Sequence, residues 1–274
     1  MKIVYRFSIN WNQSQVAQLE RLGLTVEHRL PQDPEGGIAI CLVEEGQPGW
    51  VEVSELMRSW KAFTYVTTEF TPEEIAGADY CRLIGEHHNG YPQPEDEFIP
   101  VTYDTSDYCE TCGTGLKQNA PFRVRNNLKW GRNDFLKLFL IPDEFFMPAE
   151  RWRSLLAPRG VAAREVVDVK GKPLESVIQL DIQERVALDT GGAEGEVCSG
   201  CGRQRYPPHN RGFFPAPLDP PDAPIFRTQE YFGVGHSGFN CILVDASMAA
   251  FIQSKGLKGA KLWPCAPVMF SSDL

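Results

Sequence analysis

Two short segments constrain this chain more than anything else in it: Cys109-Glu110-Thr111-Cys112-Gly113 and Cys198-Ser199-Gly200-Cys201-Gly202. Both have the form Cys-x-x-Cys-Gly. Two intervening residues let a tight turn aim both sulfurs at one point, and the glycine relieves the crowded backbone that follows. Each turn has the form of a zinc knuckle and supplies half of a tetrahedral shell. Together the thiolates of Cys109, Cys112, Cys198 and Cys201 complete a closed site with no position left for water or substrate. Such a site stabilises a fold and performs no catalysis. The pairs lie 89 residues apart, so the fold and not the local sequence must join them. Structural zinc is the expected ion, although the same four thiolates suit an iron–sulfur cluster. A pair of thioredoxin-like dithiols is the competing reading; the aromatic and proline that precede such motifs, and the helix pattern that follows, are missing.

The chain has eight cysteines. Its opening, Met1-Lys2-Ile3-Val4-Tyr5-Arg6, is interrupted by charge and carries no apolar export segment. At 274 residues it needs no disulfides to hold a core. These points favour metal binding and a cytoplasmic protein. No apolar run reaches the roughly 20 residues that span a bilayer. Cys41, Cys81, Cys241 and Cys265 lie in apolar, strand-like surroundings and are expected to be buried packing residues. His87-His88 invites a second metal site with Cys81; neighbours on a strand face opposite ways, so both are left at the surface.

The formal net charge is -9, and all of the excess falls in residues 1–100, which hold 16 acidic and 7 basic side chains. Residues 101–274 hold 20 of each. Glu44-Glu45, Glu73-Glu74 and Glu95-Asp96-Glu97 form the densest clusters. Such a surface repels phosphate backbones and attracts basic partners, or simply stays solvated.

Periodicity predicts short strands and helices in alternation. Lys2 to Ile9 is strand-like. Gln13 to Leu22 is a helix stopped by Gly23, and Leu24 to His28 is a second strand. Val53 to Trp60 is helical, and Ala62 to Phe70 is a strand. A helix opens at Thr71-Pro72-Glu73-Glu74. Gly90-Tyr91-Pro92-Gln93-Pro94 has linker composition, and Phe98 to Tyr103 reads as a strand. The chain thus divides into an acidic α/β portion, 1–100, and a zinc-binding body, 101–274. Within that body Glu144–Ala163 and Asn240–Gly259 align without gaps at an offset of 96. Phe146/Ile242, Met147/Leu243, Trp152/Met248, Leu155/Phe251, Leu156/Ile252 and Val161/Leu257 correspond, and Gly160/Gly256 is the one identity. The pattern is strand, helix, glycine stop, strand; two unrelated helices of generic pattern are the alternative.

No enzyme signature is assembled. Gly235-His236-Ser237-Gly238 approaches a nucleophile elbow, but Phe239 stands where the closing glycine is required. There is no phosphate loop, dinucleotide fingerprint or His-Glu-x-x-His, and no carboxylate pair is singled out by its surroundings. Lys117, Arg123, Arg125, Lys129, Arg132 and Lys137, interleaved with Phe122 and Trp130, suggest single-stranded nucleic acid. The acidic or neutral composition argues against it, and a charged outer face explains the same residues.

The paired knuckles resemble the double-CXXCG motif family of bacterial proteins. The closing segment resembles the carboxy-terminal part of several bacterial immunity families, from Pro224-Ile225-Phe226-Arg227 to Lys255-Gly256-Leu257-Lys258-Gly259. The likeness covers roughly residues 105–270 and carries across only the four cysteines. It implies a toxin-neutralising immunity protein that binds a cognate protein toxin stoichiometrically and needs no catalytic residue. Acidic surfaces suit basic toxins. The expectation is therefore an α+β, zinc-containing binding protein that is not an enzyme. A zinc-containing nucleic-acid-binding or regulatory protein is the alternative.

Overall fold

Alternating burial builds the first sheet. A computed structural model describes residues 1–28 and 37–267, and the chain is α+β. Its first compact unit comprises residues 1–71 with 210–212. It runs β1 (Lys2–Trp11), α1 (Gln13–Arg21), β2 (Val26–His28), β3 (Gly37–Glu44), α2 (Trp50–Ser59) and β4 (Phe63–Glu69). The strands form an antiparallel sheet ordered β2-β3-β1-β4. Phe7, Ala39, Cys41 and Val43 point to one face, where they meet Leu19 of α1 and Val53 and Met57 of α2. Asn12 and Gln15 close a reciprocal capping box that starts α1. Segment 210–212 joins this unit through Thr68, whose hydroxyl donates to the Asn210 carbonyl and accepts from the Gly212 amide.

The second unit holds the remaining residues. Its elements begin with α3 (Pro72–Ala76), β5 (Tyr80–Gly85), α4 (Phe98–Thr102), β6 (Tyr103–Asp104) and β7 (Lys117–Gln118). Next come β8 (Phe146–Pro148), α5 (Ala149–Leu155), β9 (Ala162–Val167), β10 (Pro173–Asp181) and β11 (Arg185–Val186). They continue as β12 (Glu196–Val197), β13 (Gln204–Tyr206), β14 (Phe214–Pro215) and β15 (Ile225–Phe232). Last are β16 (Phe239–Asp245), α6 (Ala246–Lys255) and β17 (Ala260–Ala266). The main sheet runs β12-β13-β15-β16-β5-β17-β14, with β11 beside β15; β8-β10-β9 is a smaller sheet and β6-β7 a hairpin.

The repeated pattern is real in the backbone. β8 and β9 flank β10, and β16 and β17 flank β5; in both copies the middle strand runs antiparallel to its neighbours. A helix therefore carries the chain across an inserted strand each time, and the glycine that ends the crossover is left-handed, φ 80° at Gly160 and 58° at Gly256. Trp152, Leu155 and Leu156 pack into the same core as Met248, Phe251 and Ile252. The copies differ beyond the glycine. Met147–Ile178–Glu165 and Leu243–Arg82–Trp263 are the matching rungs. The returning strand has thus slipped by two residues, which keeps each side chain on its own face.

Two details depart from the sequence reading. Phe98 to Thr102 is helical, not a strand: Phe98 and Thr102, four residues apart, share the buried face, a spacing that a short apolar run does not distinguish from a strand. The compact units part between Thr71 and Pro72, not near residue 100, and the loop at Gly90–Pro94 runs inside the second unit. Residues 72–100, with seven acidic side chains and one basic, thus belong with the cysteine-bearing body. Residues 268–274, counted in the second portion, lie outside the described residues.

Candidate metal centre

Each knuckle sits in the turn of a short hairpin, β6–β7 for the first and β12–β13 for the second. Their turns share two backbone hydrogen bonds. The Cys109 amide donates to the Thr114 carbonyl at 2.9 Å, and Cys198 donates to Arg203 at 2.9 Å. Gly113 donates to the Cys109 carbonyl at 2.7 Å, and Gly202 to Cys198 at 2.8 Å. Both glycines are left-handed, φ 74° and 73°, a conformation that costs other residues about 1–2 kcal/mol.

The fold brings the two knuckles together. Cys109 Sγ lies 3.8 Å from Cys198 Sγ, and Cys112 Sγ lies 3.6 Å from Cys201 Sγ. All four sulfurs fall within 4.8 Å of one another. Metal–sulfur bonds of about 2.3 Å in a tetrahedron put the sulfurs roughly 3.8 Å apart, so the cage is the size of one ion's shell. The four are free thiols, not disulfides. Among the described residues they form the one cluster of three or more side chains able to hold a metal ion.

Their electrostatics call for a cation. Cys109 is drawn down to about 6, first by the Cys112 backbone amide and then by neighbouring sulfurs. Burial raises Cys112, but the Thr114 hydroxyl and amide and the adjacent sulfurs outweigh it and leave it lowered. Cys201 moves the other way: the Arg203 amide pulls it down, while burial and three nearby sulfurs push it up to about 11. One thiolate at such range makes the next harder to form. A divalent ion at the centre removes that repulsion and lets all four ionise together.

The sequence reading missed the groups that hold the cage. Arg205, 6% exposed, reaches from the second hairpin to the first knuckle: its Nη1 donates to the Cys112 carbonyl at 3.1 Å and to the Gly235 carbonyl. Arg203 donates to the Asp107 carbonyl at 2.9 Å and forms an ion pair with the Asp107 carboxylate. Thr114 Oγ1 lies 3.1 Å from Cys112 Sγ. Loop 235–238, singled out as a failed nucleophile elbow, covers the first knuckle. His236 Nδ1 is 2.8 Å from the Glu110 carbonyl, and a Cβ on Gly113 would collide with the His236 backbone. Arg203 and Arg205 follow the second knuckle at alternate positions, Arg203 just before β13 and Arg205 within it, and that alternation was the available signal.

Other expectations resolve plainly. Cys41, Cys81, Cys241 and Cys265 are buried, at most 9% exposed. His87 binds the Lys129 carbonyl and His88 stacks on Phe139; neither joins a metal cluster with Cys81. Of the basic, aromatic segment, Phe122 is fully buried, which removes its ring from stacking on bases, and Trp130 is half-buried against the same core. No helix is long and apolar enough to cross a membrane. One carboxylate is in fact singled out by its surroundings. Glu144, buried in the core, accepts from Arg227 at 3.0 Å and from Gln179 at 2.9 Å.

No protein-family model, no curated protein and no solved structure matches this chain.

Proposed function

We propose that this chain is a non-catalytic binding protein held by a structural zinc ion, and that it acts as an immunity protein neutralising a cognate protein toxin. The sulfur cage carries the first part. Four thiolates around one centre suit Zn²⁺. A polynuclear iron–sulfur cluster sets iron and sulfide atoms between its cysteines and needs wider spacing than 4.8 Å. A closed shell offers no open coordination site, so the metal's contribution is folding energy.

The toxin reading rests on the double Cys-x-x-Cys-Gly likeness together with charge. The seven acidic residues against one basic in 72–100 provide a surface on the metal-bearing unit for a basic toxin. With Phe122 committed to the core and Trp130 half-buried against it, no observation favours the nucleic-acid alternative. The first experiment is elemental analysis of the purified protein, with one zinc per chain expected; two equivalents, or iron with sulfide, overturn the zinc model. The second is co-purification with a toxin encoded beside this chain. A 1:1 complex that abolishes toxin activity, with an on-rate falling roughly tenfold or more as salt rises, supports immunity. If no neighbouring protein binds, the immunity reading falls and the zinc model stands.

A further inference from the structure

The four-stranded sheet of the first unit ends in an open edge. β4 pairs with β1 and, among the described residues, with no strand on its other side. Its register with β1 runs from Lys2–Glu69 to Ser8–Phe63 without a bulge. Of its seven residues, Phe63-Thr64-Tyr65-Val66-Thr67-Thr68-Glu69, all but the last are aromatic or β-branched. Edges that must stay unpaired are blunted by lysine, proline, a bulge or an inward charge. β4 has none of these before its terminal Glu69, and such an edge presents a row of backbone groups ready to pair.

The face turned away from α1 and α2 is apolar beside this edge. Arg6 stands between Leu42 and Tyr65 on one rung, and Ser8 between Ile40 and Phe63 on the next. Leu42 and Tyr65 are exposed, and Phe63, 75% exposed, is the most exposed large apolar side chain among the described residues.

The edge is complementary to itself. Lys61 and Glu69, both exposed, stand four residues on either side of Tyr65. In an antiparallel pairing of two copies centred on Tyr65, each Lys61 lies opposite Glu69 of the other copy. Phe63 then meets Thr67 twice, and the two Tyr65 rings meet at the centre. Aromatic pairs, aromatic–β-branched pairs and opposite charges are the favourable cross-strand combinations. Sliding the strands by two residues sets Lys61 against Thr67 or Thr71 instead, and a slip of one residue turns each side chain to the wrong face.

We propose that β4 pairs with β4 of a second copy about a two-fold axis at Tyr65, joining two four-stranded sheets into one of eight strands. The interface is isologous, so both copies contribute the same residues. The inference is independent of the sulfur cage and does not rest on the toxin reading.

Two paired edges make an interface smaller than the standard roughly 1,200–2,000 Å², so a reversible dimer with Kd on the order of 10 µM is expected. Analytical ultracentrifugation of the full metal-loaded chain between about 1 and 200 µM, with a phosphine reductant present, brackets that value. Backbone amides of β4 should gain protection from hydrogen exchange as concentration rises. Tyr65→Lys sets two like charges face to face at the axis and should weaken the dimer about tenfold or more. Lys61→Glu and Glu69→Lys each replace two attractions by two repulsions and should weaken it about three- to tenfold. An equimolar mixture of those two variants should form a heterodimer tighter than either alone, because every Glu at these positions then meets a Lys. That rescue is independent of any effect on folding. A parent that stays monomeric throughout the range, a dimer indifferent to Tyr65→Lys, β4 amides unchanged by concentration, or no gain on mixing each overturns the proposal.

Discussion

Arg205→Ala tests whether the cage is positioned by residues outside it. The side chain is 6% exposed, and its Nη1 ties the carbonyls of Cys112 and Gly235. Its Nη2 pairs with Glu196 at 3.1 Å, but that carboxylate is 76% exposed, and such a pair contributes only about 0–1 kcal/mol. The two bonds from a charged donor to carbonyls are each worth about 1.5–3 kcal/mol. Water entering the vacated space recovers part of this, so the net loss is about 3 kcal/mol. For a unit of this size that lowers Tm by roughly 6–12 °C. A positioning role adds a distinct signature. Removing an outer-shell partner of a metal site lowers metal affinity about 10–100-fold, equivalent to ~1.4–2.8 kcal/mol. Competition against a colorimetric chelator measures that affinity, and thermal unfolding with and without metal separates the two contributions. Arg205→Lys should recover less than half of the affinity, since an ammonium cannot fork. If Tm falls but affinity for the metal is unchanged, Arg205 is only a packing and hydrogen-bonding residue and the reasoning fails.

Two further predictions follow from the same structure. Gly113→Ala should cost about 1–2 kcal/mol of left-handed strain plus a collision with the His236 backbone, and should impair metal retention. Gly202→Ala meets nothing within 4 Å and should cost the strain alone; equal losses in stability and metal content refute the packing argument. Arg227→Met leaves Glu144 buried without its cation and should destabilise by about 3–5 kcal/mol at neutral pH, read from denaturant unfolding. Burial raises Glu144 despite Arg227 beside it. A carboxyl that holds its proton more tightly when folded contributes full stability below its unfolded value and loses it as pH rises through the folded value. Removing Arg227 raises that folded value further, so the gap between variant and parent should narrow as pH falls from neutral towards 4.5, the ordinary glutamate value. Arg227→Met/Glu144→Gln should recover much of the loss; a pH-independent gap sinks the argument.

The sequence by itself determined what neighbours in the chain determine. A Cys-x-x-Cys-Gly turn is complete within six residues, so both knuckles, their left-handed glycines and their aim at a shared centre follow from local backbone geometry. The strand–helix–glycine–strand pattern at offset 96 is legible for the same reason: burial of one helix face and a glycine stop are periodic signals. The buried Cys41, Cys81, Cys241 and Cys265 follow from their apolar surroundings. Where a short run satisfies two periods, as at Phe98–Thr102, the sequence does not choose, and the packing of Phe98 and Thr102 on the core does. Tertiary structure alone decided everything that depends on partners far apart in the chain. It closed the cage across 89 residues, set Arg205 on the carbonyl of Cys112 93 positions away, and paired Arg227 with Glu144 across 83. It also moved the division of the chain to Thr71/Pro72, so that the acidic stretch lies with the cysteine-bearing unit. Composition shows charge but not which carboxylates acquire cations, because ion pairing and burial are properties of three-dimensional neighbourhoods.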